Sequence, residues 1–246
     1  MKTSQARTGR LFLIGGAADS CMSHFVDLAG GPDIHVAVLS HASGIPRQVA
    51  DEHKRKFVDL GVSNVTLITP RSQQNLPASV DAIYMTGGDQ VRLVRLLQRG
   101  GLLPQLKQAF ERGVLIAGTS AGAAAAAPEM VAGGMADGVL RADSLKLAKG
   151  LALLPGVIID THFAQRNRFN RMKAAVATLS DTVAIGLDED TGIYVANRNC
   201  MVYGQGQAHL FRRRAQQQTS CTPEGWMRIA SDATMDSFSG AVEFAL

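Results

Sequence analysis

Short apolar runs alternate with longer amphipathic stretches along most of the chain. The runs have the length of β-strands, and the apolar residues between them recur every three or four positions, as in helices. The predicted strands are residues 11–14, 34–39, 65–68, 82–85, 114–117 and 157–159. The predicted helices are residues 46–60, 90–98, 102–112 and 164–179. Because the strands are apolar almost throughout, we predict an α/β fold with a mainly parallel sheet flanked by helices on both faces.

The pattern changes after about Val183. Short β-rich runs, such as VAIGLDEDTGIYV and CMVYGQGQAHLF, are separated by Asn and Gly. They predict β-hairpins appended to the main sheet in the C-terminal part. Neither an internal repeat nor a domain boundary is visible, so a single domain over residues 1–246 is expected.

Composition and charge exclude several classes of protein. The chain is 46% apolar and 19% charged, which favours a globular, soluble protein with a large core over a disordered one. A formal net charge of +4, without interleaved aromatic residues, does not favour nucleic acid as a partner, and the run of Arg212 to Arg214 is typical of a solvated basic face. No apolar window approaches the roughly 18 residues of a membrane span, so no membrane partner is expected.

The cysteines and the N-terminus bear on location. Cys21, Cys200 and Cys221 have neither the spacing of a zinc site nor that of a disulfide framework. The first apolar run ends after about four residues, short of the roughly 7 to 15 of a signal-peptide core. We therefore expect a cytoplasmic protein without a metal site.

The first candidate for chemistry is Ser120, in the stretch VLIAGTSAGAAAAA. A strand that turns at once into a helix needs small residues at the corner, and GTSAG is a variant of the G-x-S-x-G nucleophile elbow. Such a turn exposes the serine hydroxyl and directs the N–H of Ala121 toward a developing oxyanion. The alternative is a packing corner without chemistry.

His162 is the candidate general base. It follows the run LLPGVIID, so it lies just past the end of a predicted strand, at the sheet edge where open α/β sheets place their ligand sites. Ser120 is expected at the same edge. Structural roles are expected for four other histidines, which are His24, His35, His53 and His209.

A carboxylate is needed to orient the histidine. The candidates are Asp137, in a glycine-rich stretch, and the cluster Asp188, Glu189 and Asp190, which follows the short strand VAIGL. The cluster is preferred because a strand end holds a side chain more firmly than a loop does. The choice within the cluster stays open at this point.

Two glycine pairs end apolar strands, in LFLIGGAAD and in IYMTGGDQ. Such pairs let the backbone approach a ligand and offer N–H groups to an oxyanion. Neither stretch contains G-x-G-x-x-G or a P-loop lysine, so a nucleotide site is not favoured.

A basic cluster follows His162 in DTHFAQRNRFNRM. Arg166, Arg168 and Arg171 are predicted on the first turns of a helix that begins just after His162, where they favour a site for carboxylates or other anions. The alternative is a solvent-facing basic helix. Asp160 beside them is a candidate partner for an amine or a guanidinium.

Together, GTSAG, TGGDQ, LLPGVIIDTHFAQRNRFNRM and GLDEDT resemble the cyanophycinases, in the serine peptidase family that also includes aspartyl dipeptidases. The resemblance covers roughly residues 11–195. It implies a fold similar to flavodoxin and the class I glutamine amidotransferases, a homodimer, and no organic cofactor. It also implies an exopeptidase that degrades cyanophycin, a poly-aspartate chain with arginine on each β-carboxyl, to β-Asp-Arg dipeptides.

The resemblance also implies roles for single residues. Ser120 would be the nucleophile, His162 the base and Glu189 the acid of the triad. The N–H groups near Ala121 and of Gly87 or Gly88 would hold the oxyanion. The positions that match the substrate pocket of the family are Gln90, Asp160, Thr161, Arg166, Arg168 and Arg171.

One residue departs from the family pattern. Thr161 stands where the family usually has the glutamine of Asp-Gln-His-Phe, which predicts an altered subsite beside His162. A lysine-containing or differently linked β-aspartyl peptide is therefore a further substrate hypothesis. Two other hypotheses are an aspartyl or isoaspartyl dipeptidase and a catalytically silent, ligand-binding member of the family.

Overall fold

Strands and helices alternate in the first half of the chain, and strands dominate the second half. A computed structural model describes residues 9–72, 75–133, 145–179, 182–197, 199–213, 233–239 and 243–245. Asp137, Arg214 and Cys221 lie outside these residues. The strands are β1 Arg10–Ile14, β2 His35–Leu39, β3 Asn64–Ile68, β4 Ala82–Met85, β5 Leu115–Thr119, β6 Glu129–Gly133, β7 Lys146–Lys149, β8 Val157–Thr161, β9 Val183–Leu187, β10 Thr191–Ala196, β11 Asn199–Gly204, β12 Gln207–Arg213, β13 Ala233–Ser239 and β14 Glu243–Ala245. The helices are α1 Asp19–Ala29, α2 Pro46–Asp59, α3 Gln90–Arg99, α4 Leu102–Glu111, α5 Ala121–Ala124 and α6 Phe169–Thr178.

The main sheet has the order β14-β11-β10-β1-β5-β4-β2-β3 within the described residues. The five strands from β1 to β3 in this order run parallel, whereas β10, β11 and β14 extend the sheet in antiparallel fashion. The predicted α/β fold with a mainly parallel sheet is thus confirmed. Each predicted strand is present, and β5 runs on to Thr119 at the elbow.

Both faces of the main sheet are buried, as the apolar strands predict. Leu11 and Leu13 of β1 pack in the core on one face, and Phe12 and Ile14 pack in the core on the other. Helices α3 and α4 contribute to the first core and α1 and α2 to the second. The alternation of side chains along each strand therefore explains the three-layer arrangement.

A second sheet, with the order β13-β12-β9-β8, contains three strands that were expected in the main sheet, which are β8, β9 and β12. The predicted strand at 157–159 exists as β8, but it pairs in parallel with β9 instead of joining the main sheet. The hairpin β10–β11 extends the main sheet as predicted, whereas β9 and β12 do not. An apolar run reports burial and not the identity of its neighbour, so the pattern alone did not separate the sheets.

The helix predicted over 164–179 begins only at Phe169. Asn167 has a φ of 47°, and this left-handed conformation cannot continue a helix. Residues 163–167 form turns, in which the N–H of Arg166 donates to the carbonyl of His162 at 3.0 Å. The prediction that all three arginines stand on the first turns of one helix is therefore wrong, because Arg166 precedes the helix and Arg168 is its N-cap residue.

Close packing explains the small residues around Ser120. A Cβ atom on Gly118 would lie 2.3 Å from the carbonyl carbon of Gly122, and one on Gly122 would lie 2.5 Å from the carbonyl oxygen of Met85. The corner between β5 and α5 thus leaves no room for a side chain at either glycine.

We predict that Gly118→Ala lowers the free energy of unfolding by about 1–3 kcal/mol, because the new methyl group must displace backbone. Gly44→Ala is the control, since a Cβ atom there meets nothing within 4 Å, and it should change stability by less than about 0.5 kcal/mol. Urea unfolding measures both variants. Equal stability of the two would contradict this description of the corner.

Candidate active site

Ser120 occupies a strained backbone conformation at the end of β5. Its φ and ψ are 51° and −109°, a region that residues with a Cβ atom rarely adopt. Strain of this kind costs about 1–3 kcal/mol and is typical of functional sites. The N–H of Ser120 donates to the carbonyl of Ile14 at 2.8 Å, which helps to hold the turn.

A continuous chain of hydrogen bonds runs from this serine to a carboxylate. The Oγ atom of Ser120 lies 2.9 Å from Nε2 of His162, and Nδ1 of His162 lies 2.6 Å from Oε1 of Glu189. The side chains of His162 and Glu189 are 15% and 39% exposed. When Nδ1–H donates to Glu189, Nε2 is left to accept the serine proton.

The loops that carry these residues are tied to the end of β1. The carbonyls of residues 14, 15 and 16 accept from the N–H groups of Ser120, His162 and Asp190 at 2.8, 2.8 and 2.7 Å. Ser120 follows a strand of the main sheet and His162 a strand of the second sheet. The expectation that both residues end strands at one edge of one sheet is therefore wrong, and β1 brings them together instead.

The first glycine pair, Gly15 and Gly16, packs against Asp188 and His162, whereas the sequence predicts that it approaches a ligand. A Cβ atom on Gly16 would lie 2.2 Å from Cε1 of His162, and one on Gly15 would lie 2.0 Å from the carbonyl oxygen of Asp188. The N–H of Gly15 donates to the carbonyl of Thr191 at 2.8 Å, so it is not free for an oxyanion. The close contacts of the pair hold His162 and Asp188 in place, and the hydrogen bond of Gly15 excludes the oxyanion role that the sequence predicts for it.

Within the acidic cluster, Glu189 is the residue that faces His162. Asp190 binds the N-terminus of helix α1, where its Oδ1 atom accepts from the N–H of Ser20 at 2.9 Å. A carboxylate at this position stabilises the positive end of the helix dipole. The geometry thus separates two residues that the sequence could not rank.

The carboxylate of Asp188, unlike those of its two neighbours in the cluster, contacts the turn after His162 and strand β12. Its Oδ1 atom accepts from the N–H of Ala164 at 2.9 Å and lies 3.2 Å from Nε2 of His209. Burial opposes ionisation of Asp188, but the hydrogen bonds from His209 and Ala164 outweigh it, so the pKa of Asp188 lies below its ordinary value. This carboxylate ties the turn after His162 to β12.

The second glycine pair lies beside Ser120. A Cβ atom on Gly87 would be 3.4 Å from Cβ and 4.0 Å from Oγ of Ser120, whereas one on Gly88 would be 2.4 Å from the carbonyl oxygen of Ala42. In the described part of the chain, the N–H groups of Gly87 and Ala121 donate to no backbone carbonyl. Both remain candidates for holding an oxyanion next to Ser120.

Asp160 is bound by the chain's own arginines. The residue is 2% exposed, and its carboxylate accepts from Nη1 of Arg168 at 2.8 Å and from Nε and Nη2 of Arg171. Nη1 of Arg168 also donates to the carbonyl of Thr161 at 2.7 Å. Burial lowers the pKa of Arg168, and the attraction of Asp160 opposes this effect. The guanidinium groups predicted near Asp160 are therefore present, but they belong to the protein itself.

The other predicted substrate contacts differ in accessibility. Arg166 is exposed, and no ion pair holds its side chain among the described residues. Thr161 is only 4% exposed, so it offers almost no surface to a ligand. Nε2 of Gln90 donates to the carbonyl of Val131 at 2.6 Å, which ties this side chain to β6.

Gln165 was not singled out in the sequence. Its Oε1 atom accepts from the N–H of Glu189 at 3.1 Å, so it bridges the turn after His162 to the acid. The residue is exposed, and its place between His162 and Arg166 was the only sequence signal available.

Among the described residues, no helix is long and apolar enough to cross a membrane. No group of three or more His, Cys, Asp and Glu residues there is arranged to hold a metal ion. Cys21 and Cys200 are free, buried thiols, and burial raises the pKa of each to about 12.

Comparison with known proteins gives consistent matches. Residues 11–202 match the model of Peptidase family S51. A protein named cyanophycinase from Nostoc sp. is 33% identical over 225 residues, covering 85% of this chain and 76% of the relative. A cyanophycinase from Geminocystis herdmanii is 32% identical, covering 85% of this chain and 83% of the relative. The crystal structure of a peptidase from an acI-B1 Actinobacterium has the same fold, with a TM-score of 0.69, 16% identity and 100% coverage of both chains.

We predict that Asp160→Asn lowers the free energy of unfolding by about 3 kcal/mol or more, because it leaves two guanidinium groups without their buried carboxylate. Arg166→Gln is the control in the same segment, and its exposed side chain predicts a change of less than about 0.5 kcal/mol. Thermal and urea unfolding measure both. If Asp160→Asn were as stable as the control, Asp160 would not be a structural ion-pair partner.

Proposed function

This chain belongs to Peptidase family S51, and we propose that it is a serine exopeptidase that hydrolyses cyanophycin to β-Asp-Arg dipeptides. The observation that carries the proposal is the hydrogen-bond chain from Ser120 through His162 to Glu189, with distances of 2.9 and 2.6 Å. The choice of substrate is supported by the similarity to relatives named cyanophycinase. That the chain is a peptidase follows from its family.

The proposed reaction begins with attack of Ser120 Oγ on the scissile carbonyl carbon. Nε2 of His162 takes the hydroxyl proton as the C–O bond forms. Glu189 stabilises the resulting imidazolium through the hydrogen bond from Nδ1–H. The negative charge moves to the carbonyl oxygen, where the N–H groups of Gly87 and Ala121 are the donors we assign, with Gly88 as part of the same loop.

Collapse of this tetrahedral species breaks the C–N bond. His162 returns its proton to the leaving amine, and an ester of Ser120 remains. A water molecule then attacks the ester carbonyl while Nε2 of His162 accepts its proton. The second collapse restores the serine hydroxyl and releases the carboxylic acid product, so the protein is unchanged after one cycle.

Substrate recognition is assigned to the exposed residues next to His162. Arg166 is the predicted arginine whose guanidinium is accessible, so we infer that it binds a substrate carboxylate. Asp160, Arg168 and Arg171 act indirectly, because their charges are used within the protein. They hold the turn that presents His162 and Arg166 to the substrate. Gln90 and Thr161 are assigned similar supporting roles.

A dipeptidase acting on short aspartyl or isoaspartyl peptides is the second candidate. One observation favours it: two of the three arginines expected to recognise the polymer are occupied by Asp160. A silent, ligand-binding member of the family is a third hypothesis, and the same experiment tests it. A single domain over residues 1–246, a homodimer and a cytoplasmic location stay predictions from the sequence and the resemblance.

We predict that the wild-type protein clears a suspension of insoluble cyanophycin and releases β-Asp-Arg. Ser120→Ala should release none, because the nucleophile is missing. Glu189→Gln should reduce kcat by about 10³-fold or more, because the histidine loses the carboxylate that fixes its tautomer. Ser23→Ala is the matched serine control, since its hydroxyl only donates to the carbonyl of Ser20 within α1. Turbidity and mass spectrometry of the products measure all four proteins.

The outcomes separate the candidates. Hydrolysis of short aspartyl peptides without clearing of cyanophycin would support the dipeptidase. Activity of Ser120→Ala equal to wild type would show that Ser120 is not the nucleophile. Inactivity of the wild type on both kinds of substrate would support the silent member.

A further inference from the structure

A cavity of about 880 Å³ lies beyond the ends of β2 and β3, outside the site described above. Its lining includes four arginines, which are Arg47, Arg55, Arg71 and Arg92. Thr69 at the end of β3 and Pro46 at the start of α2 also line it. We call this cavity the arginine pocket.

The arginine pocket has an excess of positive charge. Asp51 is the carboxylate among its lining residues, and it already lies 3.4 Å from Nε of Arg47. Among the described residues, no carboxylate forms an ion pair with Arg55, Arg71 or Arg92. Nε of Arg92 is buried without a hydrogen-bond partner there. Like charges gathered around a concave surface create a potential that attracts anions.

Helix α2 adds to this potential. It begins at Pro46 in the wall of the pocket and is 14 residues long. The N-terminus of a helix carries a partial positive charge and free N–H groups, both of which favour an anion. The guanidinium groups and the helix therefore select the same class of ligand.

The arginine pocket is connected to Ser120 by directly contacting loops. The N–H of Asp89 donates to the carbonyl of Ala42 at 3.0 Å, in the loop that continues into the pocket wall at Gly44. Two residues before Asp89, Gly87 lies against Ser120. Strands β2 and β3 are two and three places from β5 in the sheet. With strands about 4.8 Å apart, the pocket lies roughly 10–14 Å from the serine along the same sheet edge.

We propose that the arginine pocket is a second subsite that binds carboxylate groups of the substrate chain at a distance from the cleaved bond. This inference rests on the proposed function, in which each arginine attached to the polymer carries a free α-carboxylate beside its guanidinium. An extended chain covers about 3.3–3.6 Å per residue, so three or four residues span the distance from Ser120 to the pocket. The pocket then favours a long chain over a single dipeptide, because only the long chain occupies both subsites.

A pair of double variants with equal charge change tests the proposal. Arg55→Gln/Arg71→Gln removes two exposed guanidinium groups of the pocket. Arg95→Gln/Arg99→Gln removes two exposed guanidinium groups of α3 that do not line it. Both are made in the Ser120→Ala background, so that binding is measured without cleavage.

Fluorescence anisotropy with a labelled, soluble oligomer of β-Asp-Arg units gives the dissociation constant. We expect the pocket variant to weaken binding about tenfold or more, and the control variant to change it by less than about threefold. Equal effects of the two variants would overturn the proposal. Inorganic phosphate that binds as tightly as this oligomer would identify a small-anion site and would overturn it too.

A kinetic arm with active protein separates this proposal from the proposed function. The pocket variant should lower kcat/KM for cyanophycin and leave that for a short β-aspartyl peptide unchanged. If the wild type cleaves cyanophycin and both double variants match it, the subsite fails while the peptidase assignment stands. If the wild type cleaves neither substrate, the proposed function fails, and the assignment of the pocket to a substrate chain falls with it.

Discussion

Three consecutive carbonyl groups at the end of β1 determine where the candidate catalytic residues lie. The carbonyls of residues 14, 15 and 16 accept hydrogen bonds from the N–H groups of Ser120, His162 and Asp190. These three donor residues each have a backbone φ near 50°. Such conformations cost about 1–3 kcal/mol each and persist only where surrounding contacts enforce them. The glycines at 15 and 16 are part of the same constraint, because any side chain there would strike His162 or the backbone of Asp188. One strand end therefore joins two sheets into a single site.

Charged residues that are adjacent in the chain make different contacts in this molecule. Asp188, Glu189 and Asp190 are adjacent in the chain, yet they contact a turn, a histidine and a helix N-terminus. The three arginines that follow His162 also differ in their contacts, because Arg168 and Arg171 form ion pairs with Asp160. Of these three arginines, Arg166 is the exposed one, and it forms no ion pair among the described residues.

The sequence predicts local features well because they depend on short-range physics. The apolar strands follow from side-chain periodicity, the corner at Ser120 from the space available at a tight turn, and the candidate base His162 from its place after a strand. Pairing of β8 with β9 was not predictable, since an apolar run does not identify its neighbour. The late start of α6 depends on one left-handed residue, Asn167, which the surrounding residues do not reveal. Glu189 could be chosen by family resemblance, and its orientation toward His162 is visible only in three dimensions.

Covalent labelling tests whether His162 and Glu189 activate Ser120, as we propose. A fluorophosphonate probe reacts with a serine whose hydroxyl is activated by a neighbouring base. We expect one label per chain, located on Ser120 by peptide mass mapping, and much slower labelling of Glu189→Gln at unchanged thermal stability. Failure of the folded wild-type protein to react, or labelling of Glu189→Gln at the wild-type rate, would show that Ser120 is not activated in this way.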